Sequence, residues 1–299
     1  MIQMRSRESI SIHTVHQRLY HMKRKSSLGD DPRTMSLLFE RYLVWFVILF
    51  ASCSLPVLLF ISAPYGRHLR PGWGPLVPAT WGWVIMEAPS PICYALVFWH
   101  FYSNGTSDDD DDDDDDHKMR MIRFAALGLW QLHYVYRSFV FPFLMRGGNT
   151  KKKPLLTVAM AFCFNVANGS INGYGAAILM DEEENRRWMR YLGFALFAIG
   201  WWINQDSDRI LRNLRKENET GYYIPYGGLY KYISSPNYFG ELVEWLGYSL
   251  VVNMNAPSLA FVYCTSCFLA PRASSHHEWY RNKFEDYPAD RKILIPFIW

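Results

Sequence analysis

The chain has 299 residues, half of them hydrophobic and 17% aromatic, with a formal net charge of +3. Its mean hydropathy of −0.10 averages long apolar runs with a basic N-terminus and an Asp tract, so it does not describe a soluble domain. Its five cysteines, Cys53, Cys93, Cys163, Cys264 and Cys267, all fall inside apolar segments, which argues against a disulfide framework.

Residues 1–36 are rich in Arg, Lys and Ser, with Arg5, Arg7, Arg18, Lys23, Arg24 and Lys25. That composition suits either a targeting extension or a disordered tail, and Glu8, Asp30 and Asp31 weigh against the first. From residue 37 onward come seven apolar runs near the length needed to cross a bilayer. They are Leu37 to Ser62, Val77 to Phe101, Met119 to Met145, Pro154 to Met180, Met189 to Gln205, Asn237 to Val252 and Met254 to Ala270. The expected fold is all-α: a seven-helix membrane domain over residues 37–299, with a cofactor and substrate cavity inside the bundle.

The second run carries Glu87 in WVIMEAPSP, where Pro89 and Pro91 should interrupt the helical hydrogen bonds. A glycosylation sequon, Asn104-Gly105-Thr106, and the poly-Asp loop 108–116 follow; the latter reads as a solvated like-charge block. The third run contains LHYVYRSFVF, with Tyr134 beside His133 and Arg137, and the fourth places Asn165, Asn168 and Asn172 on one face. His133 reads as a residue that supports the site or packs, rather than as a catalyst. The acidic stretch Asp181 to Glu184 leads to the fifth run, which ends in INQDSDRILRNLRK; there Asn204, Asp208, Arg212 and Arg215 form a polar stripe.

A Tyr- and Gly-rich loop, GYYIPYGG, precedes the sixth run, on which Asn237, Glu241 and Glu244 share one face. Cys264 and Cys267 in the seventh form a CxxC with no second ligand pair, so no metal site is expected. The tail adds Arg272, His276 and Tyr280 at helical spacing.

Seven crossings alternate the loops. The set with Arg67, Arg146, Lys151 to Lys153, Arg209 and the tail is basic, and the other set holds the acidic runs. Basic loops stay cytoplasmic, so the C-terminus is expected in the cytosol. Ionisable groups inside a span are costly and point by default to function. Here they gather toward the cytosolic end, a pattern that supports a polar intramembrane pocket and by itself identifies neither nucleotide nor reaction. Gly227-Gly228 is not a dinucleotide fingerprint.

The stretch IPYGGLYKYISSPNYFGELVEWLGY, the ending KFEDYPADRKILIPFIW and the motif INQDSDRILRNLRK resemble the steroid 5α-reductases, from about Ala63 to Trp299. The fragments APYGRH, GWGP and MEAPS look most like the plant members of brassinosteroid synthesis, and Met86 stands where the mammalian enzymes carry Gln. The resemblance implies reduction of the carbon-4,5 double bond of 3-oxo steroids with NADPH, in the endoplasmic reticulum membrane, with no nucleic acid and no protein partner. It implies that Glu87 and Tyr134 contact the 3-oxo group and that Arg137 lies near both ligands. It further implies that Asn204, Asp208, Arg215, Tyr223, Asn237, Glu241, His276, Tyr280 and Arg291 line the NADPH site, with 206–299 the main cofactor-binding part. The competing readings are a related reductase of an enoyl-CoA or polyprenal, a membrane methyltransferase and a transporter.

Overall fold

The computed structural model describes residues 32–62, 66–105, 114–146, 151–180, 187–214 and 221–299. Most of the N-terminal extension, the poly-Asp loop up to residue 113, Asp181 to Glu184 and Arg215 lie outside the described residues. The chain divides into two compact units, 1–43 and 44–299. Of the first, residues 32–43 are described, and they are helical. The site belongs to the second.

Helix occupies each of the seven apolar runs. In chain order the elements are α1 (Pro32–Phe60), β1 (Leu76–Pro78), α2 (Ala79–Glu87), α3 (Pro89–Gly105) and α4 (Asp114–Val135). A π turn (Tyr136–Val140), α5 (Phe141–Leu144), β2 (Lys152–Pro154), α6 (Leu155–Ile178), α7 (Arg187–Asn213), α8 (Pro236–Val251) and α9 (Ala256–Lys283) complete them. Among the described residues three segments are long and apolar enough to cross a membrane: Glu40–Phe60, Ala79–Asn104 and Leu155–Ile178. The others fall short for physical reasons. α8 is only 16 residues long, and α7 carries Arg187, Arg190 and the polar stripe from Asn204 onward.

The expectation from the prolines holds. The helix breaks at Ala88 because Pro89 and Pro91 offer no N–H to the carbonyls one turn earlier, so α2 ends at Glu87 and α3 starts anew. Pro236 opens α8 at a position where a missing N–H costs nothing. α9 starts at Asn255, whose side chain accepts a hydrogen bond of 3.0 Å from the Ser258 N–H.

The all-α expectation needs one correction: β1 and β2 pair antiparallel, with Val77 opposite Lys153. Three-residue strands give no period to read, and here each simply leads into a proline-initiated helix. The π turn was also hidden. Pro142 has no N–H for the Ser138 carbonyl, so the helix widens before it.

Glycines set the helix spacing. A methyl group on Gly169 or Gly173 of α6 would lie 2.5 Å from the carbonyl oxygens of Ser90 and Tyr94, and one on Gly240 of α8 would lie 2.6 Å from the Asn204 N–H nitrogen. Backbones this close are typical of helix pairs joined by small residues. At the centre stands Trp130, its ring 4.8 Å from Tyr94, 5.0 Å from Tyr134, 5.2 Å from Trp245 and 5.3 Å from Phe261. The hydroxyls of Tyr94 and Tyr248 bond across this core at 2.9 Å.

The C-terminal segment is tied back onto the loop before α8. Ser234 N–H donates to the Lys292 carbonyl and Lys292 N–H to that of Tyr232, at 2.9 and 2.8 Å. The Ser234 hydroxyl also meets His277 Nδ1 at 2.6 Å and the Tyr287 hydroxyl at 2.7 Å.

Candidate active site

A cavity of about 580 Å³ opens among α1, α2, α4, α6, α8 and α9. Most of its wall is apolar, from Phe50, Val57, Phe164 and Phe268 among others. Among its polar lining are Glu87, His133, Tyr134, Arg137 and Glu241, with Arg272 and His68 as well. The size suits a small-molecule ligand.

Each polar group arrives by a local device. Glu87 is the last residue of α2, at the proline break. Tyr134 lies near the end of α4, held by the rings of Trp130 and Trp245. Arg137 comes from the π turn, and its Nη1 donates to Asp208 Oδ2 at 3.0 Å while its guanidinium lies 4.3 Å from the Phe141 ring centre. Asp208, only 4% exposed, accepts a second bond from Asn237 Nδ2 at 3.2 Å. Asn204, one turn before Asp208, donates to the Asn237 carbonyl at 3.0 Å. Thus the π turn, α7 and α8 are joined by one buried polar chain behind the cavity wall.

Other positions fall elsewhere. His276 stacks on His68 at 5.8 Å and faces Tyr238, a cavity residue, at 5.6 Å. Tyr280 stacks on Tyr287 at 5.4 Å, away from the cavity lining. Arg291 donates from Nη2 to the Pro225 carbonyl at 3.0 Å and borders a second hollow of about 460 Å³ with Tyr226, Gly227, Gly228 and Lys231. Tyr223 is exposed. Of the Asn stripe on α6, Asn165 reaches the cavity and donates to the Met86 carbonyl at 2.7 Å. Asn168 and Asn172 are not in its lining; Asn172 Nδ2 donates to Asn168 Oδ1 at 3.0 Å, one helical turn apart.

Trp83 and Lys153 were not anticipated as part of this arrangement, nor was the partner of His133. His133 pairs with Glu244 at 2.8 Å, the pair fully enclosed. Trp83 lines the cavity, with Arg137 4.8 Å and Lys153 Nζ 3.8 Å from its ring centre. Lys153, a loop cation by sequence, is 5% exposed because β2 carries it inward. No periodicity marks such a residue.

Burial holds the Lys153 ammonium down at about 7, with Glu87 pulling it up and Arg137 pushing it further down. The unfolded chain therefore binds this proton more firmly, and stability falls as pH drops from about 10.4 to 7 and is level below that. Lys153→Met should melt higher than the wild type at pH 6, by about 1–4 kcal/mol, with the gap closing as pH rises toward 10. Melting curves in detergent across that range check it; a gap independent of pH would refute it.

Buried donors without an acceptor among the described residues include Arg212 Nη1 and Arg291 Nε and Nη1. Guanidinium nitrogens left unmatched in this way fit an anionic ligand such as a phosphorylated nucleotide.

The fold is mainly helical, with three segments long and apolar enough to cross a membrane, around a largely apolar cavity whose wall also carries charged side chains. Residues 151–299 match the family model described as 3-oxo-5-alpha-steroid 4-dehydrogenase. The chain is 41% identical over 241 residues to human 3-oxo-5-alpha-steroid 4-dehydrogenase 1, covering 79% of this chain and 86% of that protein. It is 36% identical over 270 residues to steroid 5-alpha-reductase DET2 of Arabidopsis thaliana, covering 87% and 97%. Human 3-oxo-5-alpha-steroid 4-dehydrogenase 2 is 37% identical over 254 residues, covering 80% and 90%. The chain therefore belongs to the 3-oxo-5-alpha-steroid 4-dehydrogenase family and is an oxidoreductase acting on CH–CH groups.

Proposed function

We propose that this chain reduces the carbon-4,5 double bond of 3-oxo-Δ4 steroids to 5α-steroids with NADPH, in steroid hormone synthesis of the brassinosteroid type. Its setting would be the endoplasmic reticulum membrane, crossed seven times, with the C-terminus in the cytosol. The observation that carries the reaction is the cavity: a largely apolar chamber of about 580 Å³ with Glu87 and Tyr134 together in its wall. A flat apolar ring system with a single ketone matches that division. Relatives named as steroid reductases, plant DET2 among them, support the substrate class.

NADPH, when bound, supplies a hydride to carbon 5. The rest falls to the protein. As carbon 5 gains the hydride, negative charge builds on the 3-oxygen, and donors waiting there stabilise the transition state more than the ground state. Tyr134 donates its phenol hydrogen to that oxygen, and Glu87 in its acid form donates a second bond. Asn204, Asp208, Asn237 and Glu241 hold the cofactor, together with Arg215, Tyr223, His276, Tyr280 and Arg291. The loop with Pro225, Gly227 and Gly228 covers the nucleotide.

Product analysis from membranes given NADPH and a panel of 4-en-3-oxo steroids tests the reaction; absence of any 5α product would refute it. Asn237→Ala and Glu241→Ala should weaken NADPH binding about tenfold or more each, since each removes a polar partner from a buried site. Nucleotide titration of purified protein checks this, and unchanged affinity in both would displace the cofactor site from α8.

A further inference from the structure

Reduction of an enone needs two hydrogens, and the groups at the ketone account for neither the proton that carbon 4 receives nor its source. His133 and Glu244 stand beside them unused. Glu244 is 0% exposed and His133 4%, and the 2.8 Å contact joins Nδ1 to Oε1. Glu244 Oε2 has no hydrogen-bond partner among the described residues. A carboxylate so placed needs a cation or a proton, because an unpaired charge there costs several kcal/mol (about 3–5). The nearby guanidinium of Arg137 is already bonded to Asp208. The pair thus holds a proton in one of two ways: as imidazolium beside carboxylate, or as an Nε2–H imidazole accepting from the Glu244 acid. In both, His133 Nε2 carries a hydrogen, and His133 lines the cavity.

Its position suits carbon 4. The His133 ring centre is 5.0 Å from that of Tyr134 and 4.5 Å from that of Trp245, which fixes the imidazole against the core. Carbon 4 lies two bonds from the 3-oxygen that Tyr134 would hold.

We propose that His133, held by Glu244, delivers the proton to carbon 4 of the substrate. This rests on the reduction proposed above. After hydride addition the enolate π pair forms the new carbon-4 to hydrogen bond. The Nε2–H bond breaks, and its electron pair stays on the imidazole. A proton on Glu244, where present, moves to Nδ1. The pair is one proton poorer and regains it from water once product leaves. Glu241, Arg137 and Glu87 share the cavity and set the field at this transfer.

The test runs the reaction in D₂O at early times and locates deuterium in the product. The wild type should place solvent deuterium on one face of carbon 4 only. His133→Gln keeps an amide that can bond Glu244 but has no proton to give. It should turn over about 100-fold more slowly and scatter deuterium over both faces, with the carbon-5 hydrogen still delivered from the nicotinamide to the α face. If that variant does not hold its fold in melting curves, Glu244→Gln, uncharged and of nearly the same size, should show the same scattering. Deuterium confined to one face in a folded variant, at near wild-type rate or with only a lower melting temperature, would reduce the pair to helix packing and overturn the proposal. A wild type that reduces no steroid at all would overturn the reaction itself, a result visible at carbon 5 and separate from the label at carbon 4.

Discussion

Membranes carrying Tyr134→Phe or Glu87→Gln should form 5α-reduced product about 10²–10³-fold more slowly than the wild type, with KM for the steroid changed far less than kcat. The asymmetry follows from timing. A ketone is a modest acceptor before hydride transfer and a strong one afterwards, so a lost donor is felt mainly in the transition state. Tyr134→Phe removes one hydroxyl and leaves the ring that packs on Trp130 and Trp245, so fold loss is not expected to obscure the result. Glu87→Gln keeps the length and an N–H donor, and any activity it retains measures how much of the Glu87 effect is donation alone. Full activity in both variants would leave the reductase in place and remove these residues from the ketone.

Asp208→Ala is expected to be the most destabilising single change near the cavity. Arg137 is 11% exposed and Asp208 5% by side chain, so deletion of the carboxylate strands a guanidinium where water cannot replace its partner. Breaking such a pair costs about 3–5 kcal/mol. Asn237 loses its acceptor as well, and with it the tie between α7 and α8 weakens. The double variant Arg137→Met with Asp208→Leu should melt above Asp208→Ala, because it removes both charges and fills the space. Melting curves of the three proteins in one detergent decide this. If the double variant were the least stable, packing and not charge would be what the pair supplies.

How much of this was legible in the sequence varies by residue. The seven helical segments follow from apolar run length, and the break at Ala88 follows from two prolines. The stripe on α7 and the face on α8 were readable because spacings of three and four survive wherever a helix is regular; they led to Asp208, Asn237 and Glu241. The strand pair was not readable, since three residues carry no period. Nor was the inward turn of Lys153, which depends on which strand lies opposite. His133 reads as a supporting or packing residue in the sequence because its partner is 111 positions away, and only the fold brings Glu244 to it. The sequence likewise offered one face for Asn165, Asn168 and Asn172 without showing that Asn172 donates to Asn168 while Asn165 reaches Met86.

The π turn at Tyr136–Val140 gives that helix two phases. A turn of this kind holds about one residue more than an α turn, so the face presented after it is rotated by about 100° relative to the face before it. Tyr134 and Arg137 are thus set by different registers of one continuous rod. The widened turn behaves as an inserted amino acid whose excess was never absorbed. Removing one residue there would restore a uniform rod and carry Arg137 around the axis, away from Asp208, with every neighbouring side chain chemically unaltered. Spacing between functional residues in this family member is therefore a mechanical quantity as well as a chemical one: a change in chain length by a single unit can do what no substitution at those positions does.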